Sequence, residues 1–228
     1  MLKNRSEELE IMDDLNISGP VIAQTLQELN TINKRLGGNQ ISISAYKEFL
    51  EGNESITLAD LGCGGGDIMV EMARWSRKSG LKPSFVGIDA NPHIVEYAKD
   101  NTKEYPEIKY QSINIFSEKF KKQRFDIIHC CLFVHHFSTI ELVSLFKQFK
   151  SQASKGVIIN DLHRHPLAYW SILLLTSLFS KSTMVKNDAS VSVARGFKKS
   201  ELIEILNKAG IKKYQLSWKW AFRWKLVF

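Results

Sequence analysis

The residues best suited to chemistry stand in the run Asp60-Leu61-Gly62-Cys63-Gly64-Gly65-Gly66-Asp67. An apolar stretch, Ile56 to Leu61, precedes it, and a segment of helical period, Ile68 to Lys78, follows. Glycines at such a strand-to-helix turn accept tight backbone angles and let a ligand approach the main chain, while the first helical amides remain free to donate hydrogen bonds. The next strand-like stretch, Ser84 to Ile88, runs into Asp89, which lies 23 residues beyond Gly66. A carboxylate at that spacing can accept hydrogen bonds from two ribose hydroxyls, so the two motifs together point to a nucleoside-bearing ligand. The plainer role open to Asp89 is to cap the helix that starts at Pro92.

The glycines at 62, 64 and 66 depart from the G-x-G-x-x-G spacing that seats a dinucleotide pyrophosphate, and position 67 is Asp. A pyrophosphate would be repelled there. A ligand carrying an ammonium and a sulfonium would be attracted.

Two further groups fall where strands of an open α/β sheet present their C-terminal ends, the edge at which such sheets bind ligands. His135 and His136 follow the long apolar stretch Phe125 to Phe133, and Asp161, His163 and His165 follow Gly156 to Asn160. Histidine titrates near neutrality and suits general-base work, whereas a carboxylate can cap a helix or orient an imidazole. No H-x-x-x-H pair or cysteine set accompanies them, so no metal is expected. Cys130 and Cys131 are adjacent and poorly placed for a structural disulfide, and a buried cysteine usually acts as a small apolar filler. A reducing, cytoplasmic setting is expected.

These groups must be positioned by a chain of 228 residues, 44% apolar and 24% charged, which fits one sizeable globular domain and excludes disordered or fibrous classes. Strand-like and helix-period stretches alternate after residue 55, the pattern of βαβ units: Ile108 to Ile113 is a third strand, and Thr139 to Gln152 is a helix between the fourth and fifth. Residues 1–54 read as a helical cover, with helices over Pro20 to Leu36 and Ser44 to Leu50, ahead of a domain over 55–228. The alternation pauses across His163 to Gly196, read as an inserted lid, before a helix from Lys199 to Ala209. Within the pause, Pro166 to Phe179 is apolar all round, which implies burial on several sides or a lid whose Tyr169 and Trp170 line a pocket; transient contact with a membrane surface is a third role. The longest uncharged stretch, Pro166 to Ser180, has 15 residues and is too short to span a bilayer.

Lys and Arg exceed Asp and Glu by 31 to 24, and from Arg195 onward nine basic residues face two acidic ones. The tail alternates Trp218, Trp220, Phe222 and Trp224 with Lys219, Arg223 and Lys225. That parity reads as two strands with an aromatic core face and a solvated basic face, so a nucleic-acid partner is not expected. Arg195 could reach an anionic group on a substrate.

Through LADLGCGGGD, VGIDANPHIVEYAKDN, FDIIHCCLFVHHF and GFKKSELIEILNKAGI, the sequence resembles the class I S-adenosylmethionine-dependent methyltransferases from about residue 55 to the end. The resemblance implies a Rossmann-like, doubly wound, seven-stranded sheet, mostly parallel with an antiparallel last strand. It implies S-adenosylmethionine as cofactor, with Asp60 and the backbone of Gly62, Cys63 and Gly64 at the methionine end and Asp89 at the ribose. Ala90 and Ile94 would flank the adenine, and Asn114, where the family commonly has Asp, would with Ile115 meet its amino group. Cys130 or Cys131 would lie beside the cofactor. A histidine at position 135 acts as general base in family members that methylate phenols, so His135, His136 and His163 are the catalytic candidates, with Asp161, His165, Tyr169, Trp170 and Arg195 around the acceptor. The expected activity is methyl transfer to a small apolar or aromatic acceptor, at a phenolic, quinone-like or polyketide-lipid oxygen or at carbon. An RNA or protein methyltransferase, or a nucleoside-binding protein without turnover, is the rival.

Overall fold

The computed structural model describes residues 2–50 and 55–228. The boundary expected at residue 54 lies outside the described residues. Seven strands form one sheet: β1 (Thr57–Leu61), β2 (Ser84–Asp89), β3 (Ile108–Ser112), β4 (Phe125–Cys131), β5 (Ala153–Leu162), β6 (Gln215–Lys219) and β7 (Arg223–Val227). Their order is β3-β2-β1-β4-β5-β7-β6, with β7 antiparallel to both of its neighbours and the remaining pairs parallel. Strand order reverses about β1, which lies between β2 and β4. The loops leaving β1 and β4 therefore diverge to opposite sides and open a crevice at their C-terminal ends.

Both faces of the sheet are covered, as parallel strands require. The helices α2 (Gly38–Glu48) and α3 (Asp67–Lys78) pack on one face, where Tyr46, Met69 and Met72 join Leu58, Phe85, Ile127 and Ile158 in a buried cluster. On the other face, α6 (Thr139–Gln152) and α9 (Lys199–Lys208) bury Leu142, Phe146, Phe149, Leu202 and Leu206 against Ala59, Ile128, Val157 and Leu226. The local signals agree with these elements. A capping box of Ser138 and Glu141 starts α6, while Pro92 and the Asn91 side chain, which accepts from the His93 amide, start α4 (Pro92–Asn101). The short α5 (Glu118–Lys121) links β3 to β4.

Three remaining helices, α1 (Pro20–Arg35), α7 (Pro166–Phe179) and α8 (Thr183–Arg195), sit over the C-terminal edge of the sheet with the N-terminal segment. That segment is tied down by backbone groups: the Ile11 and Met12 amides donate to the two carboxylate oxygens of Asp188, at 2.8 and 3.0 Å.

Two expectations from the sequence need correction. The all-round apolarity of α7 does not mean burial on several sides. It packs on α8 but leaves Leu167, Trp170, Leu174, Leu178 and Phe179 exposed. In the tail, residues 220–222 form the turn between β6 and β7, which breaks the alternation. Trp218 and Trp220 are exposed, whereas Arg223 and Lys225 are buried because β7 is an inner strand covered by α2. Arg223 Nη2 donates to Asn33 Oδ1 at 2.8 Å, and Lys225 Nζ pairs with Glu48.

Candidate active site

The glycine loop turns because Gly62, Gly64 and Gly66 all hold positive φ, the region open to glycine. Gly62 has a second reason to lack a side chain: a Cβ there would sit 2.2 Å from the Phe133 ring, which leans across from the β4 loop. A Gly62→Ala variant is expected to lose about 1–3 kcal/mol of stability from strain and overpacking. Urea unfolding would measure it, and an unchanged midpoint would show that Phe133 moves aside freely.

Asp60 and His129 are register neighbours on β1 and β4, and both are buried. His129 Nδ1 lies 2.6 Å from Asp60 Oδ1, and its Nε2 lies 2.8 Å from Ser42 Oγ, which also accepts from the Asn160 amide at 3.0 Å. This network, anchored on α2 and β5, fixes the Asp60 carboxylate at the crevice floor. The crevice is a cavity of about 120 Å³ beside Asp60, Gly62, Gly64, Asp67 and Cys131. No Lys or Arg among the described residues lines it. The Gly62 and Cys63 amides donate to Ile88 O and the Gly64 amide to Asp89, so the pocket offers its two carboxylates, which suit the cationic end of a ligand.

At the second strand Asp89 is half-buried and accepts the Asn91 amide at 3.0 Å. It is not the helix cap, since Asn91 fills that place. Burial pushes the Asp89 carboxyl up to about 6 against hydrogen bonds from the Asn91, Gly64 and Ala90 amides. Ala90 follows on the same loop, and the Asn91 amide group donates to Ile17 O, so the N-terminal segment passes close by. Ile94 is packed against Ile22 and Leu26 of α1, and Ile115 lies in the main core. Asn114 is exposed and accepts the Phe116 amide at 2.8 Å.

A second, apolar cavity of about 270 Å³ lies between α1, α7, α8 and the β6–β7 turn. Met12, Leu29, Asn33 and Leu132 line both cavities and so form the wall the two share. Leu132 has φ +52°, an uncommon conformation for a branched residue and a mark of strain at the mouth of β4. The polar residues lining the apolar cavity include Glu10, His135 and His136, with Asp188 and Arg223.

The two histidines differ sharply. His135 is buried, with Nδ1 2.7 Å from Asp161 Oδ1 and Nε2 3.3 Å from Glu10 Oε1. Burial alone would lower its pKa, but the Asp161 and Glu10 carboxylates outweigh it and push it up to about 9. Burial would likewise raise Asp161, yet His135 draws it down to about 2. His135 is therefore an imidazolium at neutral pH. The raised pKa contributes stability that is fully present below about pH 6.5, the ordinary histidine value, and lost as pH climbs to about 9. Thermal unfolding across that window is expected to show the loss in the wild type and not in His135→Gln; parallel curves would refute the assignment.

His136 stacks on His135 with ring centroids 4.3 Å apart, but it is partly exposed at the cavity wall. Its Nδ1 lies 2.6 Å from Asp13 Oδ1, which leaves Nε2 for a ligand. The turn Val134–His136 is fixed from behind: Arg5 donates to the carbonyls of His135 and Phe137, and Arg195 to those of His135 and His136. Glu10, His135 and His136 also place three donor atoms within 4.8 Å of one another, a spread that a metal ion could bridge. Of these atoms, Glu10 Oε1 and His135 Nε2 are buried without a hydrogen-bond partner, 3.3 Å from one another.

Several residues expected at the site from sequence lie elsewhere. Cys130 is fully buried in the main core, and Cys131, one position along the pleat, lines the crevice instead. Asp161 spends its oxygens on the Phe133, His135 and Leu162 amides and on His135, away from the cavity. Arg195 is buried behind the turn, paired with Asp13, and does not line the cavity. His163 accepts from Trp218 Nε1 at 3.2 Å, and His165 caps α7 while stacking on Phe222, so both act as braces for the tail. Trp170 is exposed and the half-buried Tyr169 lines a separate cleft beside the N-terminal segment and α8; Ala168, Ser171, Ile172 and Leu175 are the α7 residues at the cavity. Glu10, Asp13, His129 and Ser42 are site residues that carry no sequence signal of their own.

The family described as "Methyltransferase domain" matches residues 53–210, more than half of the chain. The chain belongs to this methyltransferase family. It is a class I S-adenosylmethionine-dependent methyltransferase, and S-adenosylmethionine is its cofactor. The methyltransferase is 25% identical over 207 residues to carboxy-S-adenosyl-L-methionine synthase of Campylobacter jejuni, covering 79% of this chain and 83% of that protein. It is 25% identical over 126 residues to the mitochondrial ubiquinone biosynthesis O-methyltransferase of Candida albicans, covering 54% of this chain and 37% of the other. In fold it is similar to the plantazolicin methyltransferase solved with S-adenosylhomocysteine, with TM-score 0.63 at 20% identity over 87% of this chain and 73% of that one.

Proposed function

We propose that the methyltransferase acts on a small apolar or aromatic acceptor, transferring the methyl to a hydroxyl oxygen of phenolic, quinone-like or polyketide-lipid type. The observation that carries this reading is the apolar cavity, which shares a wall of Met12, Leu29, Asn33 and Leu132 with the cofactor crevice and has His135 and His136 among its lining residues. An acceptor that fills it is stripped of water and held against that wall, and such positioning supplies much of a transfer rate.

Bound S-adenosylmethionine supplies an electrophilic methyl on a sulfonium. Asp60 and the glycine loop would hold its amino-acid end, and Asp89 its ribose. His136 Nε2 takes the proton from the acceptor hydroxyl, with Asp13 holding the imidazole by Nδ1 and stabilising the cation that forms. Transfer of the methyl to the acceptor oxygen would leave the carbon–sulfur pair on sulfur and the acceptor proton on His136. His135, held between Asp161 and Glu10, positions the turn on which His136 stands. Carbon methylation ortho to a phenol would use the same deprotonation.

The test is transfer of labelled methyl to a panel of phenols, hydroquinones and resorcinol lipids, against RNA and denatured protein. Labelling of a phenol or hydroquinone in preference to the macromolecules is expected; labelling of RNA or protein alone would overturn the reading.

A further inference from the structure

We infer that α7 and the β6–β7 turn form a docking face for an anionic lipid surface. Leu167, Trp170, Leu174 and Leu178 follow the i, i+3, i+7, i+11 spacing of one helix side, and 61–65% of each residue is exposed. Trp218 at the end of β6 and Trp220 in the turn extend it, at 45% and 67% exposure. His165, at the start of α7, stacks on Phe222 with centroids 5.1 Å apart, and Phe222 in turn contacts both tryptophans. The helix and the turn are therefore one continuous apolar and aromatic surface.

Its charge identifies the occupant. From His163 to Asn187 the chain has no Asp or Glu, and it has none after Glu204. Lys181, Lys186 and Lys219 are exposed in these same segments. Apolar side chains with tryptophan at the interface and lysines free to meet phosphates match the headgroup boundary of an anionic bilayer. A second copy of this chain would bring equal positive charge against the patch. The 14 residues of α7 rise about 21 Å, short of the ~30 Å hydrocarbon core, and no described helix is long and apolar enough to cross a membrane. The helix therefore lies on the surface.

The cavity opens on this face. Leu175 and Trp220 both line it and are exposed, which puts its mouth where lipid would be. Loading of the acceptor from the bilayer would follow, and that consequence alone rests on the function proposed above.

The test is co-sedimentation of the whole protein with vesicles of phosphatidylcholine alone and of phosphatidylcholine mixed with phosphatidylglycerol. Binding to the mixed vesicles is expected, weakened by salt and reduced at least about tenfold by Trp170→Ser with Leu174→Ser, whose side chains point away from the cavity. Lys181→Glu, at a solvated position, should weaken binding without touching the apolar face. Calorimetric S-adenosylmethionine binding, unchanged in every variant, shows that they fold. Absence of the wild type from both vesicle pellets, or an undiminished double variant, would overturn the docking face. So would a dimer in sedimentation velocity that the double substitution dissolves without any vesicle binding. Because lipid binding is read without any acceptor, failure of the methyl-acceptor proposal would leave this result standing.

Discussion

His136→Ala is expected to cut turnover by about 10²–10⁴-fold, the range for loss of a positioned general base, while S-adenosylmethionine binds as before. The choice of His136 over its neighbour follows from their surroundings. A general base must be neutral and reach the proton it removes. His135 meets neither condition: its pKa is pushed to about 9 between two carboxylates, and both ring nitrogens face them. His136 borders the cavity, has Nε2 unclaimed and is oriented through Nδ1 by Asp13. Asp13→Asn should give a smaller loss, because the amide can still orient the ring but supplies no charge to the imidazolium. Turnover with a phenol and labelled S-adenosylmethionine, together with calorimetric affinity for the cofactor, measures both. Full turnover by His136→Ala would overturn its assignment as the general base.

Much of this site could be read before the fold was known, and its gaps have physical causes. The glycine loop and Asp89 are local motifs whose roles depend on a strand-to-helix turn and a strand end, and both are encoded within a few residues. The His135-His136 pair was legible for the same reason, through its position after β4. What separates the two rings is not local. Glu10 and Asp13 reach them from more than 120 positions away, on an N-terminal segment that shows only as an acidic stretch in the sequence. The tail illustrates the opposite failure: its aromatic and basic alternation is real, but a turn at 220–222 interrupts it and β7 is an inner strand, so burial reverses the expected faces. For α7, composition revealed an unusual helix but could not say which side would meet protein.

Asp89→Ala is expected to weaken S-adenosylmethionine binding by about 10²–10⁴-fold, since two hydrogen bonds to a charged acceptor contribute about 1.5–3 kcal/mol each. The cost falls on binding because the ribose is remote from the atoms that react. Asp89 also makes a pH prediction that distinguishes a ribose acceptor from a residue that merely shapes the loop. Burial holds its carboxyl at about 6 in the free protein, and a protonated carboxyl has lost the charge that makes it a strong acceptor. The sign follows: affinity is full above about pH 7 and falls as pH drops through 6, by about tenfold per unit once the proton must be displaced. In Asp89→Asn the affinity is lower throughout and the slope disappears. Calorimetry between about pH 5 and pH 8 reads both effects, and a slope retained by Asp89→Asn would move the titration to another carboxylate of the crevice. Asp67 is the one to examine next, since burial raises its pKa as well and it lines the amino-acid end of the same pocket.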